Sequence, residues 1–144
     1  MAIIKYTNNL EETQETAKNF VAGLKGGEVV GLIGDLGAGK TTFVQFLARA
    51  LGVKEKVNSP TFVLMKVYKT TNDKIKTLVH VDAYRLNHAD ELKNIGLTEY
   101  FNKPDSLVVI EWADKVKDLL PKDTLLINFK EGTEDNQRII ELEA

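Results

Sequence analysis

The chain is 144 residues long, 43% hydrophobic and 28% charged, which is the composition of an ordinary globular protein and a length suited to one substantial core. Lys+Arg of 19 against Asp+Glu of 21 leave a formal charge of −2, which argues against autonomous binding to nucleic acid or an anionic membrane. Cysteine is absent, which excludes disulfides, thiolate metal sites and thiol catalysis; no signal-like or bilayer-length apolar run is present, so the expected location is cytoplasmic, with no membrane partner.

In chain order, residues 2–6 read as a short strand and 7–9 as a turn. Residues 11–24 read as a helix, with Leu10, Ala17, Phe20, Val21 and Leu24 as its apolar stripe and Gly26-Gly27 as its break. The apolar run Val29-Val30-Gly31-Leu32-Ile33 has strand length. Residues 42–51 form an amphipathic helix, with Phe43, Phe46, Leu47 and Ala50 or Leu51 on one face and Gly52 as the stop. A polar connection at 54–60 leads into Ser59-Pro60-Thr61. Strands at 61–69 and 74–83 are joined by Thr70-Thr71-Asn72-Asp73, a hairpin by its turn residues. Residues 87–95 and 97–101 read as two short helices parted at Gly96, 106–110 as a buried strand, and 113–120 as a short helix stopped by Pro121. Strands at 124–130 and 137–142 make a closing hairpin. With no repeat, linker or low-complexity segment, residues 1–144 are expected to be a single domain. The expected fold is α/β: a mixed, mostly parallel central sheet with helices on both faces and β-hairpins.

Between the run at 29–33 and the helix at 42–51 stands Gly34-Asp35-Leu36-Gly37-Ala38-Gly39-Lys40-Thr41, a full match to G-x-x-x-x-G-K-[ST]. Strand, glycine loop and helix in that order are the context of a P-loop, so the expected fold is that of a P-loop NTPase. Glycines let successive backbone N–H groups turn inward around a phosphate chain, and the following helix adds its unpaired N–H groups and positive dipole end. Lys40 can then bridge the outer phosphate oxygens, and the Thr41 hydroxyl can serve Mg²⁺.

Such a site needs an acid at the end of a neighbouring strand. Two residues qualify. Glu111 follows Leu107-Val108-Val109-Ile110 and is read as the acid on the metal side; Asp82 ends Leu78-Val79-His80-Val81 and is read as orienting the attacking water. Ser59 and Thr61 are candidates for a hydroxyl that senses the γ-phosphate, against the plainer reading of a Ser-Pro turn opening a strand. His80 and His88 read as structural histidines, and Trp112 as either core or an anchor for a partner. Asn102-Lys103-Pro104-Asp105 spells the guanine-reading string of GTPases. It precedes a strand where that motif should follow one, so it reads as a loop and the expected nucleotide is ATP.

Gly-Asp-Leu-Gly-Ala-Gly-Lys-Thr at 34–41, Ser-Pro-Thr-Phe at 59–62, His-Val-Asp-Ala-Tyr-Arg-Leu at 80–86, Glu91-Leu92, Ile95-Gly96-Leu97 and Ile-Glu-Trp at 110–112 occur in that order. Together they closely resemble the TsaE family, small bacterial ATPases of tRNA threonylcarbamoyladenosine formation. The likeness runs from Thr13 to about Pro121. It implies ATP and Mg²⁺ as cofactors and TsaD and TsaB as protein partners. Those partners modify tRNAs reading codons that begin with A, which the ATPase meets only through their complex. By matching positions it implies that Asp35, Leu36, Gly37, Ala38, Gly39, Lys40, Thr41 and Thr42 hold ATP, that Thr41 and Glu111 serve Mg²⁺, and that Lys40, Asp82 and Glu111 are the catalytic set. It also implies a hydroxyl near the adenine, best matched by Thr13 and less well by Thr16. Val81 and Ala83 depart from the aromatic and the bulkier residue that often flank the motif's aspartate.

Fast hydrolysis needs a cation at the γ-phosphate, worth roughly 10³–10⁵ in rate. The arginines are Arg49, along the P-loop helix, Arg138, in the closing hairpin, and Arg85, placed with Trp112 as a candidate partner contact. Slow turnover alone, with acceleration by partners, is therefore expected. The competing readings are a nucleotide-dependent binding module, in which hydrolysis is incidental, and a small P-loop kinase, which would need an arginine-bearing lid that the sequence does not offer.

Overall fold

The computed structural model describes residues 2–35, 37–58, 64–86, 91–92 and 95–143. Seven strands lie in one sheet: β1 (Ala2–Thr7), β2 (Val29–Gly34), β3 (Met65–Lys69), β4 (Thr77–Asp82), β5 (Ser106–Glu111), β6 (Leu125–Glu131) and β7 (Arg138–Glu143). Their order is β1-β7-β6-β2-β5-β4-β3. The pairs β6–β2, β2–β5 and β5–β4 are parallel, and β1–β7, β7–β6 and β4–β3 are antiparallel. The sheet is mixed as expected, but half rather than most of its pairings are parallel. Both expected hairpins are present, and β1 extends the closing one by a further antiparallel strand.

The parallel centre is buried from both sides, as its near-continuous apolar sequence requires; every residue of β5 is buried. On one face Val30, Leu32, Val109, Ile127 and Phe129 meet α1 (Leu10–Ala22) and α2 (Lys40–Ala50) through Ala17, Val21, Phe43 and Leu47. Phe43 sits edge-on to Phe129, with ring centroids 5.2 Å apart. On the other face Val29, Val79, Val81, Val108 and Ile110 pack with Leu97, Ala113 and Val116. These last three belong to two 3₁₀ helices, Leu97–Asn102 and Ala113–Leu119. Among the described residues, helical elements thus cover both faces: α1 and α2 on one, and the two 3₁₀ helices with the buried, helical Leu92 on the other. The expected helix at 87–95 and the start of the expected strand at 61–69 lie mostly outside the described residues.

Local chemistry moved several boundaries. The Asn9 side chain accepts from the Glu12 N–H at 2.9 Å, so α1 starts at Leu10, and Gly23 caps it ahead of Gly26-Gly27. Asn72 accepts from the N–H groups of Lys74 and Ile75, both at 2.9 Å, which holds 74–76 in a turn and delays β4 to Thr77. Most consequential, α2 begins at Lys40 rather than Thr42. The first turn of the helix therefore belongs to the glycine motif itself.

The Asn102-Lys103-Pro104-Asp105 string lies where the sequence reading put it. Ser106 N–H donates to the Lys103 carbonyl in a turn, and Gly27 N–H donates to the Ser106 carbonyl, which sets the turn beside the start of β2. The glycine loop leaves the opposite end of β2.

Candidate functional site

Three parallel strands end at one edge of the sheet. β2 delivers Gly34 to the loop, β5 ends on Glu111, and β4 ends on Asp82, which is in register with Glu111. Ligands of open α/β sheets sit at such strand ends. Gly39 stands at φ 106° as the N-cap of α2 and provides no side-chain cap, so the first N–H groups of the helix point into this edge without an intrahelical partner. A Cβ on Gly39 would also stand 3.1 Å from Nε of Arg138.

Lys40, 4% exposed, folds back over the loop. Its Nζ donates to the carbonyls of Gly34 (2.5 Å) and Asp35 (2.8 Å) and lies 4.1 Å from the ring centroid of Trp112. Burial holds its pKa below the ordinary lysine value, and the carboxylates of Glu111, Asp114, Asp35 and Asp82 oppose that shift. The Thr41 hydroxyl donates to Oε1 of Glu111 at 2.7 Å. Glu111 is 2% exposed, and its Oε2 lies 2.6 Å from Nε2 of His80, which is fully buried. Asp82 accepts from the Tyr84 N–H at 3.0 Å.

These groups surround a cleft of about 340 Å³. Gly37, Gly39, Lys40, Thr41 and Thr42 form one wall, and Asp82, Tyr84, Glu111, Trp112 and Arg138 the others. A much smaller cavity, about 20 Å³, adjoins it. That cavity is lined by Leu10, Thr13, Gly39, Thr42, Phe129 and Arg138. Thr13 is buried, with its hydroxyl 2.9 Å from that of Thr7. Thr16 instead donates to the Glu12 carbonyl and lines a groove between α1 and β1.

The structure therefore brings together Lys40, Thr41, Thr42, Asp82, Glu111 and Trp112, and sets Thr13 rather than Thr16 beside the loop. The Ala38 side chain packs into the core, so only its backbone can serve the site. Asp35 is exposed and Arg85 is exposed on the turn after β4. Leu36, Ser59, Thr61 and His88 lie outside the described residues.

Trp112 takes a left-handed backbone, φ 59° and ψ 41°, which an ordinary side chain adopts only when its surroundings demand it. Its ring is 4.8 Å from that of Tyr84, so it is a wall of the cleft as well as part of the apolar packing. Two residues were missed in the sequence reading. Arg138, set aside there as a hairpin residue, lies against Gly39; only the long-range pairing of β6 and β7 brings it there, and no local pattern announces that. His80, read as structural, binds Glu111; its place two residues before Asp82, on the same face of β4, was the available signal.

The donor set suits a hard divalent ion. A hydroxyl and a carboxylate 2.7 Å apart beside the glycine loop are oxygen ligands of the sort Mg²⁺ takes.

A glycine-rich loop between a buried parallel strand and a helix, with two carboxylates at the neighbouring strand ends, sits in an α/β protein with a mixed, partly parallel seven-stranded sheet. The family described as "Threonylcarbamoyl adenosine biosynthesis protein TsaE" matches residues 7–140, and the chain belongs to it. It is 43% identical over 133 residues to the tRNA threonylcarbamoyladenosine biosynthesis protein TsaE of Bacillus subtilis, covering 92% of this chain and 80% of that protein. It is 40% identical over 116 residues to the Haemophilus influenzae protein of the same name, covering 81% and 70%. Among solved structures, Bacillus subtilis YdiB superposes with a TM-score of 0.75 at 35% identity, over 99% of this chain and 84% of that one.

Proposed function

We propose that this chain is a single ATPase domain that binds ATP with Mg²⁺ in the cleft above the glycine loop, hydrolyses it slowly by itself, and is stimulated by TsaD and TsaB. In this reading it supports those partners in forming threonylcarbamoyladenosine in tRNAs reading codons that begin with A, and meets tRNA only through them. Membership of the TsaE family supports the pathway. The observation that carries the chemistry is the Thr41–Glu111 hydrogen bond beside the Lys40 ammonium at the end of three parallel strands.

Each residue has a role in that reading. The backbone from Asp35 to Thr42 cradles the phosphates, as the N–H groups of a loop and helix start do for any anion. Lys40 leaves its two loop carbonyls to meet the outer phosphate oxygens, a stronger partner for an ammonium than a neutral carbonyl. Thr41 and Glu111 would hold Mg²⁺, which would supply neutralisation of the phosphate charge. Asp82, at the strand end beside Glu111, orients the water. Thr13, which lines the small cavity with Gly39 and Thr42, serves the adenosine end in this reading.

The deciding experiment measures ATP hydrolysis by the purified protein with and without TsaD and TsaB, for wild type and Glu111→Gln. Slow basal turnover, stimulation by the partners and loss of both in the variant are expected. Full support of tRNA modification by a Glu111→Gln protein that no longer hydrolyses ATP would make it a nucleotide-dependent binding module instead.

A further inference from the structure

Glu111 is almost out of contact with water, and both carboxylate oxygens are engaged by side chains from different elements. Thr41 at the start of α2 holds Oε1 at 2.7 Å, and His80 in the middle of β4 holds Oε2 at 2.6 Å. His80 is fully buried, and its Nδ1 has no hydrogen-bond partner among the described residues. Among the described residues, the ring's polar contact is therefore the one to Glu111. A histidine needed only to fill space in an all-apolar layer would be a poor choice, because burying an imidazole nitrogen without a partner costs stability.

We infer that His80 is the positioning residue of Glu111, holding its carboxylate in the rotation that presents Oε1 to Thr41 and to Mg²⁺. The inference rests on the reading above, in which Thr41 and Glu111 serve the metal. Rotation of a carboxylate about its last torsion is broad and nearly unrestrained, so nothing within Glu111 itself selects one orientation. Bonds to opposite oxygens do select it. The register explains why His80 is the residue available: Asp82 stands level with Glu111 on the neighbouring strand, and His80 lies two residues deeper on the same face. It reaches the oxygen turned toward the sheet and leaves the other for the cleft. A carboxylate can only accept, so with Glu111 ionised Nε2 carries the proton and donates.

The test is calorimetric binding of ADP in EDTA and across a series of free Mg²⁺ concentrations, which requires no turnover. Wild type, His80→Leu, His80→Gln, His80→Asn, Glu111→Gln and the Glu111→Gln/His80→Leu double variant are compared. His80→Leu is expected to raise the Mg²⁺ concentration at half effect by about 10–100-fold, the usual consequence of losing an outer-shell partner. ADP affinity in EDTA should stay within about twofold, as for independent sites. Glutamine places an amide N–H where Nε2 stood and should restore most of the Mg²⁺ response. Asparagine is too short and should behave like leucine, which keeps the test alive if the leucine variant fails to fold. In the Glu111→Gln background, His80→Leu should change the Mg²⁺ response no further.

An unchanged Mg²⁺ midpoint in His80→Leu, an equal loss with and without metal, or glutamine and asparagine behaving alike would each overturn the inference while leaving the nucleotide site intact. If wild-type binding of ADP ignores Mg²⁺ altogether, the assignment of Thr41 and Glu111 to the metal fails first.

Discussion

Arg138→Ala isolates what the closing hairpin contributes to the nucleotide cleft. One guanidinium nitrogen, Nη1, already donates to the Gln137 carbonyl at 2.7 Å, which aims the group while leaving most of its five N–H donors for a ligand. The residue lines both the large cleft and the small cavity beside Thr13. The small cavity shares Gly39 and Thr42 with the cleft but none of Lys40, Asp82 and Glu111. In the proposed reading the guanidinium would therefore stand toward the part of the nucleotide that ATP and ADP have in common. A charge-assisted hydrogen bond contributes about 1.5–3 kcal/mol, or roughly 10–150-fold in affinity. Arg138→Ala should therefore weaken ADP and a non-hydrolysable ATP analogue by the same factor within that range. At saturating ATP its kcat should be nearly unchanged, as for any contact made equally in ground and transition states. Calorimetry measures both affinities, and fluorescence of Trp112, 4.1 Å from Lys40 and the only tryptophan, offers an independent readout. A loss confined to the ATP analogue, or a fall in kcat of the 10³–10⁵ order typical of a γ-phosphate arginine, would refute the placement. It would also remove the structural basis for slow turnover in the absence of partners.

Lys40→Ala should reduce ATP affinity by about 100-fold or more, because it removes the ammonium facing the outer phosphates; Thr41→Ala should weaken binding in Mg²⁺ but not in EDTA. Unaltered affinity in both variants would show that the loop is not the binding site. Burial lowers the Lys40 pKa in the folded protein, and a polyphosphate beside it must raise it again. Nucleotide binding at alkaline pH should then take up a proton, seen as a binding enthalpy that varies with the ionisation heat of the buffer, and affinity should fall as pH rises through the lowered value. The same shift makes the stability contribution of Lys40 rise with pH between that value and 10.5, because the unfolded chain keeps the proton longer. Proton release in place of uptake would contradict the assignment. Gly31→Ala places a Cβ 2.7 Å from that of Ala113, in the second 3₁₀ helix, and 3.0 Å from Cδ2 of Leu126 on the neighbouring β6. Overpacking of this kind costs about 1–3 kcal/mol. The Tm should drop by roughly 3–10 °C for a chain of this length; an unchanged Tm would argue against that close contact.

The glycine loop and the two carboxylates at the neighbouring strand ends were legible because their signals are local and chemical. A glycine motif between a strand and a helix, and a carboxylate ending an apolar run, are visible without knowing which strands are neighbours. What the sequence could not supply is what depends on pairing over long separations. The edges of the sheet were read as hairpins, but the addition of β1 to β7 was not foreseen, nor was the even division between parallel and antiparallel pairs. Arg138 and Gly39 lie 99 positions apart and meet only because β7 is the second neighbour of β2 through β6. The start of α2 at Lys40 was missed for a different reason. Glycine at the N-cap gives none of the side-chain signs by which a helix start is recognised.

His80 shows how the two kinds of information combine. Its periodicity was readable: residues i and i+2 of a strand share a face, so any side chain two positions before Asp82 had to point toward the same helix. Its partner was not readable, because β5 could have paired with β4 in another register and placed an apolar side chain or a loop residue where Glu111 stands. The observed register, Asp82 with Glu111 and His80 with Val109, leaves a diagonal between adjacent strands in which an imidazole can reach a carboxylate one step nearer the ligand edge. A shift of one residue would turn Glu111 to the far face and part it from Thr41 as well. The chemistry of the edge is therefore set by strand registration in the core. Substitutions that disturb β4–β5 pairing are expected to affect Mg²⁺-dependent nucleotide binding before they affect the loop's grip on phosphate.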